Sequence, residues 1–497
     1  MLTRREFLHL LANSAAGFSL LPHAYRHLPE DDLGVLVNDI HAQLNPTRVH
    51  RVVSIDSVEV LRAALKKARA EGKAVSIAGG RHSMGGQQFG AGTVLIDTRA
   101  INRVIALDQE RGIVEVEAGI QWPALVEALL RIQQSQARPW GIIQKQTGAD
   151  RLCLGGALSS NIHGRGLKFK PIIGDVESFT LMDSEGELRH CSRTENEELF
   201  RLAIGGYGLF GIITTVRLRL MPRTRLERVV ELIEVDNLMP ALEQRIAAGY
   251  LYGDCQFSIE TASEGFLKKG VFSCYRPLPE DTPMPAEQKE LAESDWQGLY
   301  HLAHTDTKHA FERYASYYLS THGQRYWSDT HQLGVYIDDY HKKLDESLRA
   351  SAKATEMITE VYVPRSALPQ FMNTVREDFR KHEIQVIYGT IRLIERDSES
   401  FLAWAKEAYA CIVMNLHVVH TGSGIRKAEE DFRRLIDRAI QFGGSYFLTY
   451  HRWASREQVQ TCYPQMADFL RLKRKYDPKE VFQSDWFRHY RQMFGEQ

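Results

Sequence analysis

The sequence predicts an α+β protein: a first domain of alternating short strands and helices, an inserted α+β middle domain, and a C-terminal return to the first. Three observations carry this expectation. From Arg51 to Arg223, segments with helical spacing of apolar residues alternate with segments of period two; from about 224 to 445, longer helices mix with strands; and from Tyr446 onward a strand and helices lead to Lys475-Tyr476-Asp477-Pro478-Lys479. At roughly 100–200 residues per domain, 497 residues make about two to four domains. The charged fraction of 25% and apolar fraction of 43% are those of a globular chain, not a disordered or fibrous one. A formal net charge of −1 argues against a nucleic-acid partner, which demands a basic surplus. Six cysteines without a CxxC pair exclude a disulfide scaffold, and no run of 18 apolar residues reads as a membrane span.

Taken in order, residues 1–29 are an address. Thr3-Arg4-Arg5-Glu6-Phe7-Leu8 precedes a modestly apolar stretch to Leu21, which resembles a twin-arginine export signal; the other reading is an amphipathic N-terminal helix. The signal implies the export machinery as a partner, a periplasmic or outer-face location, and a cofactor inserted before export. Val58, Leu61, Ala64, Leu65 and Ala68 predict a helix that stops at Gly72, followed by strands at Val75–Ile77 and Thr93–Asp97. In Ile113–Ala118 the acidic residues alternate with apolar ones, as in a strand with one wet face. A helix at Trp122–Gln133, a hairpin over Phe179–Cys191 and a strand at Ile212–Leu220 complete the first domain. The middle contains a helix at Arg365–Lys381, strands at Gln385–Ile394 and Ile412–Val419, and a surface loop over Pro277–Pro285.

Three glycine clusters stand out. In Ala78-Gly79-Gly80-Arg81-His82-Ser83-Met84-Gly85-Gly86-Gln87, a strand breaks into adjacent glycines, which let backbone approach a ligand and present N–H groups to a pyrophosphate. The second runs from Gly148 through Gly155, Gly156, Ser159, Ser160, Asn161, His163 and Gly164, small enough for backbone to lie against a flat ring while Ser160 and Asn161 bond its edges. The third, Ala203–Ile213, includes Gly211 and Ile213. Neither the P-loop nor the Rossmann spacing is present.

Together these clusters resemble the FAD-binding domain of the vanillyl-alcohol oxidase/p-cresol methylhydroxylase superfamily, in its sugar-oxidising branches of aldonolactone and alditol oxidases. The resemblance covers about 51–223 and resumes at Leu470–Pro478 and Phe482–Trp486, where it is similar to the polyprenylphosphoryl-ribose oxidase branch. It implies an FAD-binding domain in two parts, 47–223 and 446–497, with a substrate cap at 224–445. It also implies FAD bound by Ala78, Gly79, Gly80, Arg81, His82, Ser83, Gln87, Gly148, Gly155, Gly156, Ser159, Ser160, Asn161, His163, Gly164, Gly211 and Ile213. Gly80-Arg81-His82-Ser83 matches the Gly-x-His-Ser context of members that attach flavin covalently; His82 either bonds the flavin covalently, as a neutral imidazole nucleophile, or hydrogen-bonds it.

The implied reaction removes hydride from a carbon bearing a hydroxyl while a base accepts the hydroxyl proton. In Thr390-Ile391-Arg392, Thr390 and Arg392 share a strand face; the triplet resembles the acid-x-Arg strand of alditol oxidases, with Thr390 replacing the acid. Arg392 would then bind substrate hydroxyls, or else be a surface cation beside Glu395. His417 is a substrate contact or a core histidine, and it faces away from His420, which argues against a metal there; no metal is expected. The resembling families carry a lysine on the last re-entrant strand, where this chain has Tyr450 and His451; either relays a proton, with His451 nearer neutrality in pKa. The substrate class is a sugar, aldonolactone or polyol and the electron acceptor oxygen, a quinone or a cytochrome. The alternatives are a polyprenyl-phosphate sugar oxidase and a flavin-binding protein without turnover.

Overall fold

The computed structural model describes residues 34–334, 337 and 339–495, so residues 1–29, read above as resembling an export signal, lie outside the described residues. The order is mixed helix and strand throughout, an α+β chain. β1 (Val35–Val37) and β2 (Thr47–Val49) pair antiparallel. β3 (Arg51–Ser54), β4 (Val75–Ala78) and β5 (Val94–Asp97) follow as a parallel sheet in the order β3-β5-β4. α1 (Val58–Ala70) joins β3 to β4; Leu61, Leu65 and Ala68 are its buried stripe, and Ser57 caps its start by accepting from the Val60 N–H at 3.3 Å.

A second sheet is antiparallel, in the order β10-β9-β11-β7-β6. It comprises β6 (Val104–Asp108), β7 (Ile113–Glu117), β9 (Val176–Met182), β10 (Leu188–Ser192) and β11 (Ile212–Pro222), with β8 (Trp140–Ile142) pairing the end of β11. The expected wet face of β7 is only half present: Glu115 is half-buried, but Glu117 is buried and holds Arg103 at 2.7 Å. α2 (Trp122–Ile132), α3 (Leu154–Ser160) and α4 (Glu197–Ala203) complete this part. Within the second glycine cluster, Gly155 and Gly156 form the first turn of α3 rather than a loop.

Residues 225–446 build one antiparallel sheet of eight strands, ordered β15-β12-β14-β13-β17-β18-β16-β19. Its strands are β12 (Arg225–Glu234), β13 (Tyr252–Phe257), β14 (Lys269–Pro277), β15 (Arg325–Trp327), β16 (Ala354–Pro364), β17 (Val386–Ile394), β18 (Tyr409–Val419) and β19 (Ser445–Tyr446). β18 begins three residues before the expected Ile412, because Tyr409–Cys411 pair with Pro364–Tyr362 of β16. The helices of this part are α5 (Leu238–Ala247), α6 (Glu293–Thr305), α7 (Thr307–Ser320), α8 (Tyr340–Leu348), α9 (Leu368–Lys381) and α10 (Gly422–Gln441). α6 and α7 cover one face of the sheet, contributing Trp296, Tyr300 and Tyr314 to a cavity, whereas α9 and α10 pack against it without reaching that cavity.

The chain then returns through α11 (Arg456–Cys462), α12 (Met466–Tyr476) and α13 (Asp485–Phe494). The return is anchored where Val75 of β4 accepts the Gln483 N–H at 2.8 Å and donates to Val481 at 2.7 Å, so the tail extends the parallel sheet. Asp477 organises that turn: buried with Lys473, it accepts from the Val481 and Phe482 N–H groups at 2.9 and 2.8 Å. The Lys475–Pro478 motif is therefore a staple that brings the last helices back to the first sheet.

Candidate active site

The registers of the eight-stranded sheet determine which side chains share a face, since alternate residues point the same way and paired residues point together. Glu356, Ile358, Glu360 and Tyr362 of β16 pair with His417, Asn415, Val413 and Cys411 of β18. Asn415, Val413 and Cys411 pair in turn with Tyr388, Thr390 and Arg392 of β17, and Thr390 pairs with Gln256 of β13. One face thus carries two carboxylates, an arginine, an asparagine and several phenols. This face, roofed by α6 and α7, lines a cavity of about 700 Å³ whose wall includes Tyr450, Glu356, Tyr388, Arg392, Asp254 and Arg165. Volume and lining suit a small-molecule substrate.

At one end of this face lies a buried acid cluster. Glu360, 1% exposed, accepts from the Tyr450 hydroxyl at 3.1 Å and from the Tyr362 hydroxyl, and meets His163 Nε2 at 2.7 Å. Burial pushes the Glu360 carboxyl up, but His163 and the Tyr362 hydrogen bond outweigh it and keep the group ionised. Burial, then the Glu360 charge, raises the Tyr450 phenol well above its ordinary range, so the pair is a neutral phenol on a carboxylate. Arg392 stands on the same face, 4% exposed, and its Nε and Nη1 are buried without a hydrogen-bond partner. Burial opposes its charge, yet Tyr388 and Asp254 hold it protonated. Unpaired buried donors of this kind require an acceptor from a ligand or water. Thr390 donates to Asp254 at 3.3 Å, and Asp254 lies 3.8 Å from Arg165.

The predicted catalytic residues separate. Tyr450 and Arg392 line the cavity, while Thr390 shares the strand face of Arg392 but is fully buried against Asp254. His451 is not among the lining residues: it stacks on Trp453 with ring centroids 3.5 Å apart, both its ring nitrogens are buried without hydrogen-bond partners, and burial beside Arg452 pushes its pKa well down. His417 and His420 also diverge, as expected. His420 sits 2.9 Å from the Thr355 hydroxyl, whereas His417 lies beside Glu356 and His304. Glu360 went unnoticed in the sequence. Its signal is an acidic residue, with Glu356, at even spacing inside a β-branched and aromatic run without other charges, Ala354–Pro364.

The glycine clusters sort by what a Cβ would meet. Gly79 would strike Cys153 at 2.8 Å, Gly80 the Arg151 carbonyl at 2.2 Å, Gly155 Ala118 at 3.0 Å, Gly164 the Lys145 carbonyl at 2.9 Å and Gly211 Leu181 at 2.6 Å. These five are glycine because chain packs on chain. Gly148, at φ +73°, and Gly156 have no atom within 4 Å of a Cβ, so they open onto space. Three predicted cofactor side chains are engaged elsewhere. Asn161 is fully buried, donating to Asp397 at 2.8 Å and accepting from the Ile173 N–H at 3.2 Å. Gln87 accepts from the Gly85 N–H at 2.9 Å and donates to the Leu448 carbonyl at 2.8 Å. His163 is committed to Glu360. Among hydroxyls, Ser159 donates to its own helix at Gly155, and Ser160 and Ser83 both lie 3.5 Å from the Thr449 hydroxyl. His82 Nδ1 lies 2.8 Å from His41 Nε2, and burial pushes both imidazoles down, His41 to about 4. Ala78 binds Thr98 through its carbonyl, at 3.0 Å from that residue's N–H, and Ile213 is buried on β11.

At the first glycine cluster and just before Gly148, Arg81 Nε, Gln88 Oε1 and Gln146 Oε1 are buried without hydrogen-bond partners. Unmet donors and acceptors in the glycine-rich segments, with open backbone at Gly148 and Gly156, are what a dinucleotide with phosphates and a polar ring edge would satisfy, so these residues fit FAD.

The FAD binding domain family matches this chain over residues 49–192. Decaprenylphosphoryl-beta-D-ribose oxidase of Mycolicibacterium smegmatis is 22% identical over 462 residues, covering 89% of this chain and 95% of that protein. L-gulono-1,4-lactone dehydrogenase of Mycobacterium tuberculosis is 22% identical over 438 residues, 88% of this chain and 95% of that protein. L-gulonolactone oxidase of Bos taurus is 33% identical over 172 residues, only 34% of this chain and 37% of that protein.

Proposed function

Since the chain is an FAD-dependent oxidoreductase of the vanillyl-alcohol oxidase/p-cresol methylhydroxylase family, we propose that it oxidises a CH–OH carbon of a sugar, aldonolactone or polyol in the cavity between the eight-stranded sheet and α6/α7. That sheet and its helices, 224–445, act as a substrate cap on the FAD-binding part. FAD, when bound, supplies the hydride acceptor. The Tyr450–Glu360 pair carries the reading. As the carbon loses hydride its hydroxyl becomes strongly acidic; that proton passes to Tyr450 Oη while the Tyr450 proton passes to Glu360 Oε2, which lies 3.1 Å away. Glu360 serves as the sink because His163 and Tyr362 already hold it as a carboxylate. Arg392 grips a substrate oxygen with the N–H groups that lack protein partners. The full-length relatives act on ribose-type and lactone alcohols by their names, and the polyhydroxylated class fits a cavity lined by both phenols and charged groups.

The Arg4-Arg5 segment supports export as a folded flavoprotein, with oxygen, or a quinone or cytochrome of the envelope, as acceptor. Among the described residues no helix is long and apolar enough to cross a membrane.

The test is anaerobic flavin bleaching by a set of aldonolactones, aldoses and polyols, followed for Tyr450→Phe and His451→Phe. Tyr450→Phe slows reduction by roughly 10²–10⁴-fold, the range for acid–base partners, while His451→Phe stays within a few-fold. Equal losses in both variants, or none in Tyr450→Phe, overturn the proton route; a flavin that none of these alcohols bleaches overturns the CH–OH assignment.

A further inference from the structure

At the other end of the same strand, four residues and about 13 Å from Glu360 at strand rise, lies a cluster the oxidation does not use. His304, in the last turn of α6, places Nε2 3.0 Å from Glu356 Oε1 on β16. His417, directly opposite Glu356 in the β16–β18 register, places Nδ1 3.8 Å from the same oxygen. The three donor atoms all lie within 4.8 Å of one another. We propose that His304, Glu356 and His417 form a binding site for a divalent transition cation of the zinc class, with an open coordination position toward the cavity.

The argument begins with tautomers. His304 Nδ1 is 2.8 Å from the Tyr300 carbonyl, which can only accept, so Nδ1 carries a proton. In a neutral ring Nε2 then presents its lone pair to a carboxylate oxygen, a repulsive contact unless a cation lies between them. His417 Nδ1 is buried, has no hydrogen-bond partner, and points to the same oxygen. A proton on His304 satisfies one of these two approaches; a metal ion satisfies both. The second oxygen of Glu356 is already engaged by the Tyr340 hydroxyl, which leaves Oε1 as the ligand.

Geometry and donor type agree. Zinc bonds of about 2.0–2.2 Å at tetrahedral angles put ligand atoms roughly 3.4 Å apart, between the 3.0 and 3.8 Å observed here. The carbonyl bond behind His304 is the outer-shell support that metal-bound histidines usually have. Two imidazoles and one carboxylate select a borderline transition ion over calcium or magnesium, which take oxygen cages. Three protein ligands leave a fourth position, and Glu356 is a cavity wall residue, so that position accepts water or adjacent hydroxyls of a bound polyol.

The experiment uses purified holoenzyme dialysed against cobalt(II), then freed of loose metal by gel filtration. The expected result is one cobalt per chain, with visible d–d bands at longer wavelength than the flavin absorption. Glu356→Gln and His417→Gln each lose the bands and at least tenfold in cobalt affinity, while His420→Gln retains both. Unchanged flavin absorbance and melting in the variants show that the fold is intact. Cobalt retention no greater in the wild type than in Glu356→Gln, or full retention in His417→Gln, overturns the proposal and assigns the cluster to a protonated His304–Glu356 ion pair. The readout needs no turnover, so its failure leaves the oxidoreductase reading standing.

Discussion

Replacing Arg392 by methionine separates binding from stability, because the two effects should have opposite signs. In the ligand-free protein its buried Nε and Nη1 have no hydrogen-bond partner. A buried donor left unmade costs about 1–3 kcal/mol, so two cost roughly 2–6 kcal/mol. Methionine keeps much of the aliphatic stem and removes both donors and the charge. Unfolding entropy of about 2.1 cal/mol/K per residue gives roughly 1 °C per kcal/mol for a chain this long. Because water in the cavity solvates part of the group, the lower end applies, and melting should rise by about 2 °C. With substrate bound, the same N–H groups make charge-assisted hydrogen bonds worth about 1.5–3 kcal/mol, so the variant should lose roughly 10- to 150-fold in kcat/KM. Thermal melting without substrate and anaerobic stopped-flow flavin reduction measure the two halves. A variant that melts lower and reduces at the wild-type rate would show that Arg392 supports the fold rather than the ligand.

Two other perturbations test parts of the molecule outside the proton route. Acid precipitation should leave the yellow colour in the pellet for the wild type and release it to the supernatant for His82→Ala; release from the wild type refutes covalent attachment through His82. Asp175 is a second case, held up to about 7 chiefly by burial against the weaker opposing bond from Gln144 at 2.9 Å. Its folded pKa exceeds the unfolded value near 3.8, so the folded state binds the extra proton; the stabilisation is full below about 4 and lost as pH rises to 7. Asp175→Asn should therefore flatten the fall in denaturation midpoint between about pH 4 and 7, and an unchanged slope would show that Asp175 ionises freely.

The sequence was most legible where local patterns dictate structure. The helix at Val58, the strand ending in Gly79-Gly80 and the shared face of Thr390 and Arg392 all follow from spacing within a few residues, and the fold places them so. It was least legible where partners come from distant segments. Asn161 has the composition of a ring-edge donor, but Asp397 and Ser400, more than 230 residues away, take its amide. The glycines show why composition alone overreads: a missing Cβ serves equally well to admit a ligand or to admit another backbone, and only the neighbours of Gly156 and Gly80 tell the two apart.

The same limit applied to the chemistry. Between Tyr450 and His451, the sequence reading preferred the side chain whose intrinsic pKa lies nearer neutrality. The fold places them otherwise: a base must first reach the cavity, which Tyr450 lines, whereas His451 is packed against Trp453. Tyr450 is a weak acid on its own, so it becomes useful only through Glu360, a residue 90 positions earlier that enters by a different strand. In the proposed route a neutral phenol on a buried carboxylate stands where the resembling families carry a lysine, so no positive charge enters from that position beside the reacting carbon. If that substitution is functional, adding the lysine back should not improve the enzyme: Tyr450→Lys would bury an ammonium against Glu360 and hold its carboxylate in an ion pair, and flavin reduction should slow despite the nominally stronger base. A faster Tyr450→Lys enzyme would show that the phenol is a relic rather than the relay.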